Sequence, residues 1–210
     1  FSVPTGNFGD VYAGYLSKKM GLPIDKLIVA TNQNDILHRA ISNGQYKAHS
    51  VVETLSPSMD IQVASNFERL IYDINDQNTD KTSKIMQSIK NEKKYLIEEK
   101  ELLKIKKDFI SETISEKELL SCIKKVYEKH KIIIDPHTAV GLGVLEKINL
   151  IGKKIILSTA HPCKFPEAIT KAINVKSELP NKLNYILNEK ENFVVIQNNI
   201  EEVKKYILNK

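Results

Sequence analysis

At 210 residues, with 41% hydrophobic and 27% charged side chains, the chain is long enough to bury a sizeable core and has the balance of a globular protein. No apolar run approaches the roughly 18 residues a membrane helix needs and no signal-peptide pattern is present, so neither a membrane nor a secreted protein is expected. The net charge of +5 is nearly all lysine, interleaved with Asp and Glu over residues 81–107 and 116–131. That reads as a solvated, salt-bridged face and not as a nucleic-acid track. Cys122 and Cys163 make no disulfide framework, which fits reduced thiols in the cytoplasm.

The first stretch is the most informative. Ser2-Val3-Pro4-Thr5-Gly6-Asn7-Phe8-Gly9-Asp10 runs into a helical pattern over residues 11–20, which Gly21 and Pro23 stop. Glycines at 6 and 9 make a compact turn that permits positive φ and close approach. Such a turn at a helix N-terminus aims backbone N–H groups at one anion. On the residues alone it is either a phosphate cradle or a tight strand–helix connection. The Gly-Lys-Ser/Thr ending of an ATPase loop and the Gly-x-Gly-x-x-Gly dinucleotide fingerprint are both absent. The chain opens on Phe1 without Met, with at most three residues of the strand that such a loop follows, so residues before Phe1 are expected in the natural protein.

Residues 26–30 predict a buried parallel strand, and residues 35–43 a helix with Gly44 just past its end. Residues 45–59 read as irregular, with a strand expected at 49–53 and a turn at Ser56-Pro57-Ser58; residues 66–74 predict an amphipathic helix. From 76 to 131 dense charge surrounds helices expected at 82–98 and 116–129, with Phe109-Ile110 extended between them. A short buried run at 132–134 precedes a helix at 139–147, a strand at 153–158 and a helix at 165–173. The tail predicts helix 181–188, strand 193–197 and helix 200–208.

This alternation predicts an α/β fold, a mostly parallel sheet flanked by helices. We expect three parts: residues 1–75, a charged helical insertion at the periphery over 76–131, and residues 132–210 completing the sheet. Polar loops at the carboxyl ends of the strands place Thr5, Thr31 and Thr159 where open α/β sheets bind ligands, so their hydroxyls are expected to converge on one crevice. Thr159 reads equally as a cap on its own loop. None of the five histidines has a histidine partner at i+3 or i+4 and no Cys–His pair of zinc type occurs, so no metal is expected. His137 and His161, each beside a proline in a strand–helix loop, suit a structural hydrogen bond or proton transfer; His38, His49 and His130 read as surface or packing residues. Cys163 suits a small side chain in a tight loop.

The opening loop, extended through Val11-Tyr12-Ala13-Gly14-Tyr15, resembles the pyridoxal-phosphate (PLP) phosphate loop of threonine synthases. Four later segments resemble the same family in the same order: Ala30-Thr31-Asn32-Gln33-Asn34-Asp35, residues 56–69, Asp135-Pro136-His137-Thr138-Ala139-Val140, and Thr159-Ala160-His161-Pro162-Cys163-Lys164-Phe165-Pro166. The resemblance covers nearly the whole chain, least well over 76–131. It implies the C-terminal part of a fold-type-II PLP enzyme that converts O-phosphohomoserine and water to threonine and phosphate. By that resemblance the main-chain N–H groups of Gly6, Asn7, Phe8, Gly9 and Asp10 hold the cofactor phosphate, and the Thr159 hydroxyl faces the pyridine nitrogen. Asn32, Asn34, Asp35, His137 and His161 are expected to line or brace the crevice. The family's Schiff-base lysine belongs to the N-terminal half, so Lys164 is assigned to an ion pair or to packing. This chain alone is expected to be inactive without that partner half. The alternatives are a threonine synthase-like phospho-lyase and a non-catalytic phosphate-binding module.

Overall fold

A computed structural model describes residues 1–209. In chain order the elements are β1 (Ser2–Pro4), α1 (Gly9–Lys19), β2 (Leu27–Thr31), α2 (Ile36–Asn43), β3 (Gln45–Lys47), α3 (Phe67–Ile74) and α4 (Thr79–Glu92). Then follow β4 (Lys94–Leu96), α5 (Glu99–Asp108), β5 (Phe109–Thr113), α6 (Glu116–His130), α7 (Pro136–Lys147), α8 (Pro166–Ile173) and α9 (Ile200–Leu208). Short 3-10 helices lie at Pro57–Met59, Pro162–Lys164 and Asn181–Asn188. The chain divides into two compact units, Phe1–Ser177 and Glu178 onward.

The first unit is built on a parallel sheet in the order β1-β2-β5, with Ser2 opposite Ile28 and Ile28 opposite Ile110. This is the expected α/β architecture. Alternation along β2 decides what each face buries. Leu27 and Val29 join Val3, Phe8 and Phe67 in one core; Ile28 and Ala30 join Val140, Val144 and Ile123 in the other. Helix α7 lies close on the second face because a Cβ at Gly141 would come within 3.1 Å of Ile156 Cγ2 and 3.2 Å of Pro4 Cγ. Ser2 Oγ donates to the Gly141 carbonyl at 2.6 Å, tying that helix to β1.

Several elements differ from the sequence reading. The stretch 76–131 supplies β5, a strand of the central sheet, and α6 packs on the second core through Leu119, Cys122 and Ile123. The single helix expected at 82–98 is two elements, a helix and a strand, with a further helix starting just past it. Helix α4 stops at Lys93, which adopts a left-handed conformation (φ 58°); β4 then pairs antiparallel with β3, and a Glu98–Glu101 capping box starts α5. No strand forms at 49–53, because side chains satisfy that backbone. Asn34 Oδ1 accepts from the Val52 N–H at 2.9 Å and its Nδ2 donates to the Val52 carbonyl at 2.8 Å. Residues 132–134 are a connector between the left-handed Lys131 that ends α6 and the cap of α7, with Ile132 exposed. Of the strand expected at 153–158 only Ile156 pairs, bridging to Ser2, since β1 offers so short an edge.

In the second unit the helix expected at 181–188 is a 3-10 helix. Residues 193–197 form no strand, and α9 is capped by Asn199, whose Oδ1 accepts from the Glu201 and Glu202 N–H groups.

Candidate functional site

The loop between β1 and α1 is fixed by its own side chains. Thr5 N–H donates to the Ala30 carbonyl at 2.8 Å and its hydroxyl turns back to the Val3 carbonyl at 2.6 Å. Phe8, just before α1, sits in the left-handed region at φ 67°. A non-glycine residue there costs roughly 1–2 kcal/mol. Phe8 is fully buried, edge-on to Phe67 at 5.2 Å and tilted on Phe109 at 5.6 Å. Burial of such a ring contributes about 2–3 kcal/mol, enough to hold the backbone in place.

The positive φ expected of a glycine therefore falls on Phe8; neither Gly6 nor Gly9 has one. Gly6 is required for a different reason. A Cβ there would lie 2.8 Å from the Ser58 carbonyl oxygen and 3.1 Å from Met59 Cα, so the Pro57–Met59 turn rests directly on the loop. At Gly9 the nearest atom would be Asn66 Nδ2 at 3.4 Å, an ordinary contact. The Asn7 carbonyl accepts from the Asn66 N–H at 3.1 Å and from Asn66 Nδ2 at 3.0 Å. The backbone N–H groups of Gly6 through Val11, by contrast, have no acceptor among the described residues, and Phe8 offers no side-chain cap. They form a cluster of donors at the positive end of α1.

These donors border a cavity of about 280 Å³ lined by residues 4–10, Ser58, Met59, His137, Thr159, Ala160, Lys164 and Phe165. The structure thus brings Gly6, Asn7, Phe8, Gly9, Asp10, Thr159 and His137 to one space. The three threonine hydroxyls do not converge on it. Thr5 and Thr31 are buried and spend theirs on carbonyls, Thr31 Oγ1 reaching Glu112 O at 3.4 Å; Thr5 and Thr159 both line the cavity, and of the three only Thr159 is exposed.

Asn32, Asn34 and Asp35 are not in the cavity lining. Asn32 and Asn34 are buried and donate to Asp60 Oδ1 at 2.7 and 2.9 Å, while Asp60 Oδ2 accepts from the Thr54 N–H at 2.7 Å. Together they pin the segment carrying the Pro57–Met59 turn. Asp35 pairs with Arg39 at 2.8 Å, and the same guanidinium reaches the Lys47 carbonyl at 2.8 Å. His161 is exposed outside the cavity lining and caps its own turn, Nδ1 accepting from the Cys163 N–H at 3.2 Å. Lys164 makes no ion pair among the described residues; its ammonium lies 5.9 Å from the Phe165 ring, at the cavity.

His137 is buried, 4.7 Å from the Phe165 ring, with Nδ1 at 3.0 Å from Asp135 Oδ1 and Nε2 accepting from the Ser58 N–H at 3.2 Å. Burial alone pushes the Asp135 carboxyl up, but hydrogen bonds from His137 and Thr138 outweigh it and hold the group below the usual aspartate range. Ser58, Met59 and Phe165 were not singled out from the sequence. The first two act through backbone, which carries no residue-type signal. Asp135 before Pro136 was readable as a helix cap with proline at the first turn.

The family model for the C-terminal part of threonine synthase matches residues 138–207. The threonine synthase of Pseudomonas aeruginosa is 40% identical over 210 residues, covering 99% of this chain and 45% of that protein. That of Saccharomyces cerevisiae is 41% identical over 237 residues, covering 99% and 46%. The crystal structure of PLP-bound threonine synthase from Brucella melitensis superposes with a TM-score of 0.91 at 41% identity, over 100% of this chain and 45% of that one. Along its length the chain is similar to the C-terminal part of threonine synthases. It spans somewhat under half the length of these relatives and matches their C-terminal part. The C-terminal threonine synthase model takes in Thr159, Lys164 and Phe165, while the loop at 6–10 lies within the span shared with the whole-chain threonine synthase relatives.

Proposed function

We propose that this chain holds the cofactor phosphate in a PLP-dependent threonine synthase that converts O-phosphohomoserine and water to threonine and phosphate. The observation that carries the reading is the run of backbone N–H groups from Gly6 to Asp10 at the head of α1, without acceptors among the described residues, sharing a cavity with Thr159. Such donors suit a phosphoryl dianion, because each supplies a hydrogen bond and the helix end adds positive potential. The exposed Asp10 carboxylate is no obstacle where only its backbone N–H donates.

Bound there, PLP supplies the electron sink for carbanion chemistry on an amino acid. The amides of Gly6, Asn7, Phe8, Gly9 and Asp10 anchor the phosphate. Thr159 gives the ring nitrogen a neutral partner, which leaves it largely unprotonated and moderates the sink. Asn32, Asn34 and Asp35 act as braces in this reading, His161 as a loop cap, and His137 through the Ser58 backbone. The Schiff-base lysine and most contacts to the substrate phosphate are assigned to the N-terminal half of the same protein. This chain by itself is inactive in this reading. A cytoplasmic setting is part of the same reading, supported by two free cysteines; no helix among the described residues is long and apolar enough to cross a membrane.

Assay of the full-length protein with O-phosphohomoserine tests the reading. PLP-dependent release of threonine and phosphate in equal amounts is expected, and none from this chain alone. Ketoacid in place of threonine would move the protein to the phospho-lyases. Borohydride-trapped PLP on Lys164 with turnover would overturn the assignment of the lysine.

A further inference from the structure

Two fixed partners decide the protonation of a buried ring beside the cavity. Asp135 is almost fully buried and caps α7: its Oδ1 accepts from the His137 N–H at 2.9 Å, and its Oδ2 accepts from the Thr138 hydroxyl. An ionised carboxylate only accepts, so the Nδ1 of His137, 3.0 Å away, carries the hydrogen. On the far side of the ring Nε2 faces the Ser58 N–H at 3.2 Å, a group that only donates, so Nε2 is bare. The imidazole is neutral, and its lone pair is spent on a backbone amide. The Ser58 carbonyl in turn abuts Gly6, where a Cβ would stand 2.8 Å from it.

We propose that His137 is a positioning residue, locked as the neutral Nδ1–H tautomer, that braces the Ser58–Met59 backbone against Gly6 and so holds the amide loop in the shape that takes a phosphoryl group. The proposal rests on the cofactor-binding reading above for its consequence, though not for its geometry. Contacts run unbroken from the α7 cap at Asp135 through the ring to Ser58 and on to Gly6. Phe165 covers one side of the ring, centroid to centroid 4.7 Å, and limits its rotation. Protonating Nε2 would set two hydrogens against each other at Ser58, so this arrangement excludes His137 as the proton carrier of the site. The Asn32–Asn34–Asp60 cluster holds the same segment from its other side, so the turn behind Gly6 is clamped twice.

The test uses the full-length protein with 15N-labelled histidine, the His137 signal being assigned by its loss in His137→Gln. Wild type is expected to show a protonated Nδ1 and a bare Nε2 at neutral pH, with slow hydrogen exchange at the Ser58 amide. His137→Leu removes the acceptor and should weaken PLP binding about tenfold, as expected for a buried donor left unpaired. His137→Gln places an amide oxygen near the Nε2 position and should recover most of the affinity. A protonated Nε2, or wild-type PLP affinity in His137→Leu, would overturn the proposal. If wild type itself binds no PLP, the cofactor reading fails, and the tautomer and exchange measurements still judge the brace.

Discussion

Residues 5–10, which line the cavity, and residues 57–60, which pack on them, are held by a buried aromatic anchor, a left-handed turn, a doubly accepting carbonyl and two hydrogen-bonded clamps. Residues 159–165, which also line it in part, form an exposed threonine, a self-capped 3-10 turn and a lysine without an ion pair among the described residues. The first side presents backbone, whose shape only packing can set; the second presents side chains at the surface. A phosphoryl site built from amides needs the former, because a donor array misplaced by an ångström loses its ligand. The hydroxyl side tolerates more freedom. On the proposed function, the contrast therefore separates residues that act through stability from residues that act through contact with ligand.

The largest expected effect is on the rigid side. Phe8→Ala in the full-length protein removes a ring packed on Phe67 and Phe109 and should lower unfolding stability by about 3–5 kcal/mol in urea titrations. Asp60→Ala strips the acceptor from Asn32, Asn34 and Thr54, and should cost about 3 kcal/mol by the same measurement, with cofactor affinity falling too. Gly6→Ala drives a methyl into the Ser58 carbonyl and should cost about 1–3 kcal/mol, with weaker PLP binding by absorbance titration.

Asp135 gives a pH signature. Its folded pKa lies below the ordinary value of 3.8, so its contribution is present above that value and lost as pH falls through the lower folded one. The stability gap between wild type and Asp135→Ala should thus be full at pH 7 and shrink below about pH 4. A gap unchanged down to pH 3 would show that hydrogen bonds to the carboxylate are not the cause. The smallest expected effect on stability is on the open side: Thr159→Val should stay within about 0.5 kcal/mol of wild type while altering the absorbance of bound PLP.

The sequence made the open features legible and hid the packed ones. Gly6, Asn7 and Thr159 are short polar or conformationally special residues in loops, and their types announced a site. The αL position at Phe8 was hidden because a buried aromatic, not a glycine, supplies the compensation. The roles of Ser58 and Met59 were invisible for a related reason: their backbone, not their side chains, touches Gly6. In the fold, β2 was plain from its apolar run, whereas β3 and β4 are three residues each and mostly exposed, too short for any period to show. The three isoleucines at 132–134 read as a short buried run, but with a helix ending at Lys131 and a cap at Asp135 they form a connector whose Ile132 is exposed.

On the proposed function the amides around Asn7 take the cofactor's phosphoryl group, with Thr159 lining the same cavity. A crystal structure of the full-length protein with PLP tests it most directly. Phosphate oxygens are expected at about 3 Å from several N–H groups between Gly6 and Val11, with the Thr159 hydroxyl beside the ring nitrogen. A phosphate anchored on other residues, with those amides left to solvent, would contradict it.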